Sequence, residues 1–215
     1  ARQVGKTYIL KEFGSREYEN VAYINCDNNA LVSDLFASDY NIKRILFTMS
    51  AITGVEILPG KTLIIMDEVQ ELKRGLASLK YFCEDAAEYH VAVAGSLLGL
   101  ALHEGESFPV GKVNMLNMFP MTFGEFLLAQ GRKQMADLLA SGQWGIAGGL
   151  RTMYVQSLRE YYLVGGMPEA VAKFVQTNDA NAVREIQNDI LAAYEKDISK
   201  HAPADQAVRI SQVWN

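Results

Sequence analysis

The sequence predicts an α/β fold: a parallel sheet wrapped by helices, followed by an all-helical part. Three observations carry this. Up to about residue 118, short β-branched or apolar runs alternate with helical patterns, as in repeated strand–crossover–strand units. Two of the runs, 63–66 and 91–94, are almost continuously apolar, as strands covered on both faces are. From Thr122 onward only helical spacing remains.

The strands are placed at residues 21–26, 63–66, 91–94 and 113–118. Between them, residues 8–13 form a helical pattern before Gly14. Ile42, Ile45, Leu46, Met49 and Ile52 recur on one helical face, and Gly54 follows as a stop signal. Leu76, Leu79, Phe82 and Cys83 repeat the pattern, which puts Cys83 on a core-facing side. Thr122 and Glu125 form a capping box ahead of an apolar run that Gly131 ends. Further helices are expected over 146–163, 169–176 and 180–196; in the last, Val183, Ile186, Ile190, Leu191 and Tyr194 make one stripe. Gly165, Gly166 and Pro168 read as a turn between helices. Residues 199–205, with Pro203, read as a hinge. The division expected is a core over 1–128, a helical subdomain over 129–198 and a linker over 199–215.

Composition narrows the function classes. The chain has 215 residues, 49% apolar and 21% charged, which excludes disorder and collagen-like repetition. A net charge of -5 argues against a whole-surface grip on nucleic acid or anionic membrane. Cys26 and Cys83 are too few and too far apart for a secreted disulfide framework, so a reduced, cytoplasmic setting is expected. The most apolar window, 91–102, is shorter than the roughly 20 residues a membrane helix needs, so no membrane association is expected. His90, His103 and His201 lack metal-ligand spacing. Tyr81, Phe82, Tyr161 and Tyr162 lie at helical spacings and read as core.

The chemistry-bearing segment opens the chain. Ala1-Arg2-Gln3-Val4-Gly5-Lys6-Thr7 matches the phosphate-loop pattern G-x-x-x-x-G-K-[ST] without its first glycine, and a helical pattern from Tyr8 follows. Backbone N–H groups of a tight loop entering a helix N-terminus point at phosphate oxygens, where the helix dipole favours negative charge. Gly5 permits close approach, Lys6 places a charge on the β- and γ-phosphates, and the Thr7 hydroxyl suits Mg²⁺. A bare G-K-[ST] arises by chance in roughly one chain in ten of this size, so a glycine turn with an exposed lysine is the competing reading. The second motif weighs against chance. Leu63-Ile64-Ile65-Met66-Asp67-Glu68 is an apolar strand ending in two carboxylates, at the strand end where open α/β sheets bind ligands. Asp67 would hold Mg²⁺ through water and Glu68 would polarise the attacking water. The next strand ends Ala94-Gly95-Ser96, and the Ser96 hydroxyl either senses the γ-phosphate or caps a helix over 97–103.

Taken in order, Arg2–Thr7, Met66–Glu71, Ala94–Ser96, Phe119–Leu127 and Gly165–Glu169 resemble prokaryotic AAA-superfamily ATPases of the archaeal-ATPase type. The resemblance implies a three-layer P-loop NTPase core with strand order 5-1-4-3-2, a helical lid, and a C-terminal winged-helix and nuclease-like region. It implies ATP and Mg²⁺, with Arg2, Gln3, Val4, Gly5, Lys6, Thr7 and Tyr8 along the phosphates, Thr7 and Asp67 at the metal, and Lys6, Glu68 and Ser96 in catalysis. Strand 1 and the C-terminal region are expected to be missing from this chain, which would then bind ATP poorly or not at all. Where many relatives carry arginine ahead of the last strand, this chain has Lys112, read as a surface lysine. Gln70 is expected to pack or cap.

The expected activity is Mg-dependent hydrolysis of ATP to ADP and phosphate, coupled to conformational change. The alternative is a slow nucleotide-dependent switch working through homo-oligomer formation or a DNA or protein partner. There Arg151, Arg159 and Arg184 are equal candidates to reach a neighbour's γ-phosphate.

Overall fold

The computed structural model describes residues 2–27, 29–33, 35–36, 39–72, 74–95, 109 and 111–201. Two compact units divide the chain at 118/119, ten residues ahead of the boundary expected from sequence. The capping box of Thr122 and Glu125 thus starts the second unit instead of ending the first.

The first unit holds α1 (Lys6–Glu17), β1 (Asn20–Asn25), α2 (Ala30–Ser33), α3 (Ile42–Thr53), β2 (Thr62–Asp67), α4 (Gly75–Asp85) and β3 (His90–Ala94). The three strands are all parallel, in the order β1-β2-β3, with Tyr23 opposite Ile65 and Ile65 opposite Ala92. Side-chain alternation gives the sheet two faces. Ala22, Ile24, Ile64 and Met66 join Ile45, Met49, Leu76 and Phe82 of α3 and α4 in one buried cluster. The other face meets α1, and Gly14 makes that close approach. A Cβ there would lie 2.6 Å from Val21 Cγ2 and 3.2 Å from Leu63 Cδ2. Every residue of β2 is buried, so this strand is the centre of the described sheet.

Helix ends follow the sequence signals. Asn41 caps α3 through its side chain, and Gly54 closes it at φ 67. The expected strand over 113–118 is not a strand. A groove of about 990 Å³ runs between it and the second edge of β3, bordered by Ile9 and Leu10 of α1 and Leu79 and Phe82 of α4. Among the described residues the segment has no strand to pair with across that gap, and a strand needs a neighbour. Cys83, expected in the core, is exposed; it borders the same groove. Lys112 is a surface lysine paired with Glu84 at 3.1 Å, which raises its pKa.

The second unit is helical: α5 (Phe123–Ala129), α6 (Lys133–Ser141), α7 (Trp144–Gly149), α8 (Arg151–Val164), α9 (Pro168–Thr177) and α10 (Ala180–His201). The capping box is fully formed, with Thr122 N–H donating to Glu125 Oε2 at 2.7 Å and Glu125 N–H donating to Thr122 Oγ1 at 3.3 Å. The single helix expected over 146–163 is two, broken at Leu150 (φ -102, ψ 13) directly after Gly148 and Gly149. Two glycines lower helix propensity by about 1 kcal/mol each, enough to interrupt it. α6 was not expected from the sequence. α10 continues through His201, past the expected end at Lys196 and into the expected hinge; the remainder of that stretch, with Pro203, lies outside the described residues. Phe126, Val164, Ala170, Val171 and Phe174 form the main core of this unit. Gly165, at φ 74, turns the chain from α8 to α9, and Tyr161 closes the corner by donating to Met121 O at 2.8 Å. Tyr162, read as core, is 76% exposed.

Candidate nucleotide site

The segment ahead of α1 is bent into the left-handed region at two points, Gln3 at φ 59 and Gly5 at φ 89. The first places a non-glycine residue where backbone strain is stored; the second needs its glycine. Val4 between them is 2% exposed and anchors the loop. Gly5 is the N-cap of α1, and its carbonyl accepts from Ile9 N–H at 3.0 Å. No side chain caps α1 and no acidic residue sits in its first turn. The positive end of the helix dipole thus meets the loop with no acidic side chain against it, the setting that favours an anion.

Against the first turn of α1 stands the C-terminal tip of β2. Thr7, in the first turn of α1, donates its hydroxyl to Asp67 Oδ2 at 2.5 Å across 60 residues of sequence. Asp67 is 6% exposed. Two further donors hold it: the Tyr23 hydroxyl at 3.1 Å on Oδ2, and Glu68 N–H at 3.1 Å on Oδ1. Glu68 itself is left-handed, at φ 53 and ψ 46, and starts a 3₁₀ turn over Val69–Glu71. Gln70 does more than pack: its Nε2 donates to Glu68 Oε2 at 2.6 Å. Burial first, then the charge of Asp67, pushes the Tyr23 phenol up to about 12; the same two causes push the Cys26 thiol up to about 12.

Lys6 and Gly95 border the groove beside β3, which puts the lysine and the tip of β3 on the same side of the sheet end. Arg2 is half-buried, Gln3 is exposed, and Tyr8 is 72% exposed on α1. Ser96 and the expected helix over 97–103 lie outside the described residues. The geometry thus brings Thr7 and Asp67 into contact with Glu68 next in the chain, and it leaves Tyr8 pointing to solvent. Tyr23 and Lys11 were not singled out by motif, and the hydrogen bond from Gln70 to Glu68 was not foreseen though both residues were named. The one sequence signal for Tyr23 was its place two residues before the end of a strand adjacent to β2, on the face opposite Ala22 and Ile24.

Magnesium fits this donor set. A hydroxyl and one carboxylate are hard oxygen ligands, and Mg²⁺ takes one or two such groups while keeping water and phosphate for the rest. No described helix is long and apolar enough to cross a membrane.

Comparison with known proteins agrees with the fold. A family model described as a domain of unknown function matches residues 155–215. No curated protein and no solved structure matches. The AAA domain family model matches residues 1–127 of the 215, which include the described sheet, the Gly5 loop and the tip of β2, and the chain belongs to that family of AAA-type nucleotide-binding ATPases.

Proposed function

We propose that the protein binds ATP with Mg²⁺ between the Gly5 loop and the tip of β2 and hydrolyses it to ADP and phosphate. The observation that supports this most directly is the Thr7–Asp67 hydrogen bond, 2.5 Å long, which joins the two motifs. In this reading the amides of Gly5, Lys6 and Thr7 hold phosphate oxygens, and Lys6 neutralises charge on the β- and γ-phosphates. Thr7 and Asp67 hold the metal. Thr7 donates a hydrogen bond to Asp67 and keeps its lone pairs for the ion. When bound, Mg²⁺ supplies charge neutralisation on the phosphates. Glu68, oriented by Gln70, takes the proton of the attacking water as the new P–O bond forms and the bond to the β-phosphate oxygen breaks. Ser96, one residue beyond Gly95, is kept as a γ-phosphate contact in this proposal.

The resemblance's strand order, 5-1-4-3-2, extends this reading to the fold. β1, β2 and β3 take places 2, 3 and 4, and a further parallel strand occupies the groove between β3 and residues 113–118. What supports it is that β3 has one unpaired edge among the described residues, with apolar walls from α1 and α4 beside it. The helical second unit is the part that hydrolysis moves. The switch reading draws support from the exposure of Arg151, Arg159 and Arg184, any of which a second copy or other partner can reach.

Lys6→Ala and Glu68→Gln test the reading. Calorimetry with ATP and Mg²⁺ should show binding lost in Lys6→Ala and kept in Glu68→Gln. Phosphate release by Glu68→Gln should fall by about 100-fold or more, the usual contribution of a positioned base. Parent-rate hydrolysis by Glu68→Gln would overturn the catalytic assignment.

A further inference from the structure

Asp67 is held by a side chain that belongs to neither motif. Tyr23 lies on the α1 face of β1, because Ala22 and Ile24 take the opposite face into the core. Its register partner is Ile65, so the ring must reach along the sheet to the end of β2, where its hydroxyl meets Asp67 Oδ2 at 3.1 Å. The ring is pinned from its other side. Lys11 Nζ stands 3.6 Å from the ring centroid, a cation–π contact from the residue one turn beyond Thr7 on α1. Three elements therefore converge on one carboxylate: α1 through Thr7 directly and Lys11 indirectly, β1 through Tyr23, and the β2 tip through Glu68 N–H.

An ionised carboxylate offers about four acceptor positions. Two hydroxyls fill Oδ2 and one amide takes a place on Oδ1, so among the described residues one acceptor position is left, on Oδ1. The carboxylate torsion of aspartate is soft and broad by itself. With donors at both oxygens it is fixed, and its remaining acceptor keeps one direction.

We infer that Tyr23, with its ring held by Lys11, is a positioning residue that fixes Asp67 in the orientation needed to hold the hydrated Mg²⁺ of a bound nucleotide. This rests on the proposed ATPase site and adds to it a determinant of metal affinity. Tyr23 acts through Asp67 and touches neither nucleotide nor metal. Groups that orient a metal-binding side chain typically change metal affinity by about 10–100-fold when lost.

The test measures fluorescent ATP-analogue binding as Mg²⁺ is titrated, without turnover, in the full chain. Tyr23→Phe keeps the ring and its Lys11 contact and removes only the hydroxyl. It should raise the half-saturating Mg²⁺ concentration by about tenfold, while nucleotide binding in excess EDTA stays at the parent level. Lys11→Met should shift it in the same direction by less, and the double variant by no more than Tyr23→Phe alone. Should Tyr23→Phe fail to fold, the Lys11→Met titration carries the test. Asp67→Asn separates the two layers of the argument. If it leaves the Mg²⁺ response at the parent value, the site assignment is wrong and this inference falls with it. If Asp67→Asn loses the response while Tyr23→Phe or Lys11→Met lowers only the melting temperature, the positioning role alone is overturned.

Discussion

The contact between Thr7 and Asp67 can be measured without nucleotide, through a double-mutant cycle on stability. Thr7→Val removes the hydroxyl and keeps the branched shape. Asp67→Asn removes the charge and keeps the size. A hydrogen bond to a charged group contributes about 1.5–3 kcal/mol, against about 1 kcal/mol for a neutral one. Asp67 is 6% exposed, so solvent screens this bond little, but the Tyr23 hydroxyl shares the same oxygen and softens its loss. Thr7→Val should therefore destabilise by about 1.5–2 kcal/mol. Asp67→Asn weakens three bonds at once and should cost about 2–4 kcal/mol. If the two side chains interact as described, the double variant falls short of the sum by about 1–2 kcal/mol. Urea unfolding followed by circular dichroism reads all four free energies, provided the m-values agree. Additivity within about 0.3–0.5 kcal/mol is the behaviour of independent sites. That result would refute the meeting of the two motifs, and the proposed site with it.

Three other outcomes follow from the same geometry. Gly14→Val should destabilise by about 2–3 kcal/mol in urea, because the first carbon alone already crowds the stiff Val21 side chain and overpacking carries that penalty; Gly14→Ala should lose less, since it regains about 1 kcal/mol of helix propensity. Of the two free thiols, exposed Cys83 should react with a disulfide reagent at pH 8 on mixing. Cys26, 2% exposed and pushed up to about 12, should react only as fast as the protein opens; equal rates would contradict its burial. Glu68→Asn should keep the parent's stability to within about 1 kcal/mol, because asparagine tolerates the left-handed backbone, while phosphate release is lost; a large drop in melting temperature would assign Glu68 a structural role instead.

What the sequence made legible was local. The apolar run that became β2, the glycine stop after α3 and the Thr122–Glu125 box each depend on a few adjacent residues, and each is found where its spacing put it. Elements failed where their fate hung on a distant neighbour. Residues 113–118 carry strand composition but face a groove, and Cys83 sits at a helical position whose covering surface the pattern cannot reveal. The break at Leu150 follows Gly148 and Gly149, which lie inside the single helix expected over 146–163. In the candidate site, Thr7 and Asp67 were readable because each belongs to a motif with fixed spacing. Tyr23 was not, because its role depends on register: one step along β1 would put a different residue beside the tip of β2.

The placement of the two carboxylates shows why a motif can be right about residue types and silent about how they are aimed. β2 is buried along its whole length, and the chain leaves its last residue by an abrupt turn. Glu68 makes that turn in the left-handed region and runs at once into the 3₁₀ turn whose Val69 is fully buried. Gly75 then seals it, since any Cβ there would meet Val69 O and Leu72 Cβ at 2.8 Å. Asp67 and Glu68 are thus set at their angles by the backbone between two buried anchors, Met66 and Val69, before any side-chain partner acts. The strain of a non-glycine residue at this point, about 1–2 kcal/mol, has no counterpart in core packing, which a glycine at 68 would satisfy equally well. What a glycine lacks is the carboxylate that Gln70 grips at 2.6 Å. A strained backbone that glycine would relieve, carrying a carboxylate held by Gln70, is the pattern expected if the proposed chemistry of Glu68 outweighs stability.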